Sequence, residues 1–194
     1  MEATIEMLMV TMHDIVFRNR YRDLRDLSVI VENLPVLLKH RSYVVRADAY
    51  EFIAAYDLEQ FAEAIREGCS DRNPIARTYA IGSYYDLIGK NAVPLLKKLL
   101  GSQITRVRLE ALCLLYIEER EDGYLNEITR IVTRKNCSDY NQSLVVSEFE
   151  AHLHLQEYPE ILALFRKMLL VIDEKRGLAQ DMRKLLREAG PMAR

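Results

Sequence analysis

The chain has 194 residues, 49% of them hydrophobic, and a formal net charge of −2. This length and apolar content suit one domain with a continuous core and exclude a disordered chain. The near-neutral balance excludes whole-chain attraction to nucleic acid, and Cys69, Cys113 and Cys137, far apart and with no C-x-x-C, suit free thiols in a reducing compartment better than a disulfide framework.

Residues 2–17 place Ile5, Leu8, Met9, Met12 and Val16 at helical spacing, which predicts a first amphipathic helix capping one end of the fold. The same segment carries Glu2 and Glu6 and lacks a basic n-region, so no signal peptide is expected. No apolar run reaches the ~18 residues of a membrane span, so a cytoplasmic location is the default expectation. The basic stretch R-N-R-Y-R-D-L-R (18–25) reads as a solvated turn and helix start. Leu24, Leu27, Ile30 and Val31 continue a helix that Pro35 should break or kink.

The segment N-L-P-V-L-L-K-H (33–40) matches N-A-V-P-L-L-K-K (91–98), and each reads as a helix with proline near its start. Between them, Asp57 and Gln60 have capping-box spacing at the start of another helix. Gly68, Gly89 and Gly101 stand where left-handed residues end helices. Beyond Glu121, helices are predicted around Leu125–Val132, over 139–155, over 159–171 and over 174–188. No stretch alternates cleanly enough for a strand.

The organising stretch is D-R-N-P-I-A-R-T-Y-A-I-G-S-Y-Y-D-L (71–87). Asp71 and Asn73 can bond local backbone donors, and Pro74 has the φ a first helical turn needs. Arg77 is followed by Ala80, Ile81 and Tyr84 at +3, +4 and +7, one apolar helical stripe. The pattern recurs at equal steps on either side. Before it stands Arg46, preceded by Val45 and followed by Ala49, Tyr50 and Ile53. After it stands Arg108, preceded by Val107 and followed by Ala111, Leu112 and Leu115. Equal steps within the range of roughly 20–50 residues predict a stacked array of repeats. Two further, slightly longer steps lead to Gln142, in place of arginine, and to Arg176.

The turn D-R-N-P-I-A-R, with alanine three residues on, resembles the second-helix start of a HEAT repeat, usually D-x-D-P-x-V-R. The resemblance is clearest over 33–120. It implies an all-α, right-handed α-solenoid of about five stacked helix pairs filling 1–194 as one domain. Residues 1–32 would then cap the N-terminal end, and 121–194 would hold degenerate repeats and a C-terminal cap. It implies a binding role. In such stacks the repeat arginine bonds the turn acid of its own or the next repeat, a part that Asp71 fits.

Catalytic signals are sparse, and neither a catalytic residue, a metal nor another cofactor is expected. His152 and His154 are two apart and point to different faces of a helix, so they cannot chelate together. Cys113 is expected toward the open face of its helix, as an inert thiol. No Gly-rich phosphate loop and no H-E-x-x-H occurs.

Counting from each repeat arginine, offsets +2, +5 and +9 face away from the apolar stripe. They read Asp48, Glu51 and Ala55, then Tyr79, Gly82 and Asp86, then Glu110, Cys113 and Ile117. In a solenoid these second helices line the concave side. A groove with Asp48, Glu51, Asp86 and Glu110 around Tyr79, and no base at these offsets, suits a basic protein partner. A bacterial immunity protein that neutralises a toxin, such as a nuclease with a basic cleft, is one instance. The competing classes are a scaffold or adaptor in an assembly, and a HEAT-like enzyme such as an alkylpurine DNA glycosylase or a bilin lyase. An acidic face without tryptophan disfavours the glycosylase.

Overall fold

The computed structural model describes residues 24–172 and 177–189. The expected cap helix over 2–17, residues 18–23 of the basic stretch, and Arg176 lie outside the described residues. Those described are helices and short connections, with no strand among them. The helices are α1 (Leu24–Leu37), α2 (Tyr43–Ala55), α3 (Ala62–Gly68), α4 (Pro74–Ile88), α5 (Val93–Leu99), α6 (Thr105–Glu119), α7 (Asp122–Val132), α8 (Asp139–His152), α9 (Pro159–Leu169) and α10 (Gly177–Glu188). The packing resolves into two compact units, Met1–Ala92 and Val93–Arg194.

In the first unit α2 packs along α4, α3 packs on α4, and α1 packs on α2. The stripe residues Val45, Ala49 and Ile53 of α2, with Ala76 and Ala80 of α4, are fully buried. Alanine at +3 lets the two helix backbones approach. The start of α4 follows from its sequence. Asn73 Oδ1 accepts from the amides of Ile75 at 2.8 Å and Ala76 at 3.3 Å, and Pro74 fills the first helical position. Gly89 ends α4 with φ 55°, a left-handed value that glycine adopts without strain.

Three expectations for this unit are corrected. Pro35 lies near the end of α1, not near the start of a helix, and α1 runs through it to Leu37. Proline there removes the bond its amide would make to the Val31 carbonyl, and only two residues of helix follow it. Asp57 does not open a capping box. It has φ 50°, and a 3-10 turn at Glu59–Phe61 leads into α3, whose N-cap is Phe61. Gly68 is not a left-handed cap, since Cys69 continues in a right-handed conformation after it. It is required for space: a Cβ there would stand 2.5 Å from Cζ of Tyr50.

In the second unit α6 is flanked by α5, α7 and α8. Its run from Leu109 to Ile117 is buried throughout, so Cys113 is not on an open face but fully enclosed. That run, Glu110 included, leaves no solvent face at the offsets expected to be open. Gly101 is not left-handed, because Gly89 is the one glycine with positive φ among the described residues. The helix end that does turn left-handed is at Arg120, with φ 57°. Helix α8 begins at Ser138, whose hydroxyl accepts from the Asn141 amide at 3.3 Å. Among the described residues no helix is long and apolar enough to cross a membrane.

Candidate functional site

Two of the three repeat arginines, Arg46 and Arg77, converge on the turn before α4. Arg46 Nε donates to Asp71 Oδ2 at 2.7 Å and Nη2 donates to Oδ1 at 2.8 Å, a bidentate pair whose side chains are 7% and 5% exposed. The remaining Nη1 donates to the carbonyls of His40 at 2.6 Å and Arg41 at 3.2 Å. Arg77 donates through Nε and Nη2 to the backbone carbonyl of the same Asp71, at 2.8 and 2.6 Å. Asp71 Oδ1 also accepts from the Asn73 amide at 2.8 Å.

Burial alone would push the Asp71 carboxyl up. The Arg46 hydrogen bonds, the Asn73 amide and the Arg46 charge outweigh it, and the net shift is down. Tyr50, whose hydroxyl lies 3.4 Å from Asp71 Oδ2, is pushed up to about 12 by burial and then by the Asp71 charge. These arginines therefore hold turns together and are not offered to a ligand.

The arrangement fades along the chain. The step that leads from Arg46 to Asp71, taken again from Arg77 and from Arg108, reaches Ser102 and Thr133, neither of them an acid. Arg108 Nε is buried with no hydrogen-bond partner. Glu127 is held below its ordinary range first by its hydrogen bond with Arg130, with the charges of Arg108 and Arg134 adding to that. Gln142 occupies the next arginine position and is buried. Its Nε2 donates to the Val132 carbonyl at 2.8 Å, an uncharged bond to the end of α7.

The five residues expected at a binding face divide between the units. Asp48, Glu51, Tyr79 and Asp86 lie on the neighbouring helices α2 and α4 of the first unit. Asp86 is exposed, Glu51 and Tyr79 are half-buried, and Asp48 is only 7% exposed. Glu110 belongs to α6 of the second unit and is 2% exposed. All five take part in contacts of their own, so none is a bare charge or an idle ring. Around Glu110 the fully buried Cys113 thiol is pushed well up, first by burial and then by the charges of Glu148 and Glu110.

Among the described residues no group of three His, Cys, Asp or Glu side chains could hold a metal ion. His152 Nδ1 stands 2.9 Å from the Glu148 carbonyl, and His154 lies beyond the end of α8. The fold also brings together groups that repeat counting did not reach. In the first unit a cavity of about 400 Å³ is walled by Pro35, Leu38, Phe61 and Ala64, with Tyr50 and Asp71 among its lining. In the second, Arg120 stacks over Tyr158 at 4.4 Å, and the Tyr116 hydroxyl donates to Glu160 at 2.6 Å. A third group joins acids of α8 and α10, Glu150 on one helix and Asp181 and Glu188, seven residues apart, on the other.

No family model, no curated protein and no solved structure matches this chain. The class defined by the described residues is an all-helical fold of packed helices, compatible with a helical repeat.

Proposed function

We propose that this chain is a non-catalytic, HEAT-like α-solenoid that binds a basic protein through the second-helix face of its first unit. Glu51 and Asp86 would meet the partner's charges beside Tyr79. Asp48, buried in the same unit, would contribute through its field and not by contact, and Glu110, enclosed in the second unit, takes no part in this face. One observation carries the reading. The single bases of α2 and α4, Arg46 and Arg77, are spent on the Asp71 turn, so neither helix offers a base of its own to the face that carries Glu51 and Asp86. An inhibitor that occludes a toxin's basic cleft is one form of this function, since an acidic face complements such a cleft.

Because Glu51, Asp86 and Tyr79 already hold contacts, the partner exchanges with those contacts when it docks. The test uses the protein that co-purifies with the chain. Glu51→Lys with Asp86→Lys should slow association by about an order of magnitude, more at low salt than at high. Tyr79→Ala should act chiefly by speeding dissociation. Thermal melts of each variant separate lost binding from lost folding. A partner with an acidic binding surface, or rates indifferent to both changes in folded protein, would refute the reading.

A further inference from the structure

Within the second unit, α8 and α10 pack against each other and line a two-lobed groove. One lobe, about 430 Å³, opens beside the turn after α8, and the other, about 270 Å³, runs between the helices. They meet at Glu150, Leu185 and Glu188, which line both. The apolar part of the floor is made by Leu153, which is buried, and by Leu155 and Leu185, which are half-buried. Glu157 lines the first lobe and Asp181 the second, so four exposed carboxylates surround the groove. The single ammonium among the described lining residues, Lys184, is 3.9 Å from Glu188 and more than half exposed.

We propose that this groove seats a cationic amphipathic helix of the partner. Its apolar side would lie on Leu153, Leu155 and Leu185, and its lysines or arginines would lie against Glu150, Asp181 and Glu188. This rests on the reading above that the partner is basic, and adds a second place where it is held. The charge asymmetry selects a cation, and the apolar floor selects a segment with an apolar face over a polyamine. The spacing selects a helix. Asp181 and Glu188 are seven residues apart on α10, roughly 10 Å along its axis, which two turns of a second helix reproduce. Each lobe admits side chains, whereas a helix body about 10–12 Å across would ride on the rim.

The experiment uses the full chain and a fluorescein-labelled synthetic helix two heptads long, with lysine on one face and leucine on the other. Binding is followed by anisotropy at low and at physiological salt. Glu150→Lys with Asp181→Lys should weaken the peptide about tenfold or more. Glu51→Lys with Asp86→Lys, in the other unit, should change it by less than about twofold. Leu185→Ala should weaken it at both salt concentrations, because the apolar contact is not screened. Far-UV circular dichroism establishes that each variant is folded. Unchanged affinity in the folded groove variant would overturn the proposal, and so would equal binding of a peptide with glutamate in place of lysine. A monomer–dimer equilibrium abolished by the groove variant would also overturn it, making a second copy of this chain the occupant. Because the peptide reports on the groove alone, indifference of the native partner to Glu51 and Asp86 would count against the first-unit face and not against the groove.

Discussion

Gly68→Ala sets two opposite effects against each other at one atom. Replacing glycine by alanine in a helix ordinarily stabilises by about 0.5–1 kcal/mol, and less at a final residue such as this one. Here the new Cβ would lie 2.5, 2.6 and 2.7 Å from Cζ, Cε1 and the hydroxyl oxygen of Tyr50. Relief to ordinary contact needs a shift of about 1 Å in a ring that is 3% exposed and whose hydroxyl is tied to Asp71, a strain of about 1–3 kcal/mol. The clash therefore wins, and the net cost is about 1–2 kcal/mol. In a chain of this size that lowers Tm by roughly 2–8 °C. Differential scanning calorimetry measures it, and a double-mutant cycle isolates the cause. With Tyr50→Ala already present, adding Gly68→Ala should become neutral or stabilising. A single variant that melts at or above the parent temperature would refute the account of why glycine stands there.

Two further outcomes follow from the same unit and from the thiols. The Asp71 carboxyl is shifted down, so its pairing contributes stability above its unfolded value of about 4, and that contribution is lost as pH falls through the lower folded value. Asp71→Asn should then cost about 3 kcal/mol at neutral pH by leaving the Arg46 charge without its counter-ion, and should flatten the loss of stability below about pH 4, measured by melts across the acid range. Native protein should expose at most one thiol to Ellman's reagent. That thiol is Cys137, which reacts slowly because burial raises its pKa, while Cys69 and Cys113 react only on unfolding. Prompt reaction of two thiols would contradict the burial of Cys69 or Cys113, and of three the burial of both.

The core was legible because an apolar stripe is a statement about one helix. Ala49, Ala80 and Ala111 are each fully buried at the register the arginines set. The Asn73 cap and Gly89 were legible for the same local reason. Gly68 was not, because its constraint comes from Tyr50, a residue of another helix. Cys113 was misplaced because periodicity assumes one wet face, and α6 has neighbours on all sides. Counting offsets likewise located the acids along their helices without saying how deep each lies. It put Glu110 and Asp86 on equivalent faces, although one is enclosed and the other open. Counting from Gln142 reaches Leu144, Ser147 and Ala151, so Glu150, at +8, falls outside those offsets.

The doubly used Asp71 also bears on which changes of length the chain can accept. Its carboxylate holds Arg46 and its carbonyl holds Arg77, so the chain between Gly68 and Pro74 is fixed from both directions. One residue inserted there would rotate the carboxylate away from one arginine or the carbonyl away from the other. The connection from Thr133 to Ser138 carries no such double duty, since Gln142 reaches back to the Val132 carbonyl, ahead of that connection. Insertions and deletions should therefore accumulate in the 133–138 connection and be excluded from 69–73, giving the first unit a rigid reading frame and the second an adjustable one.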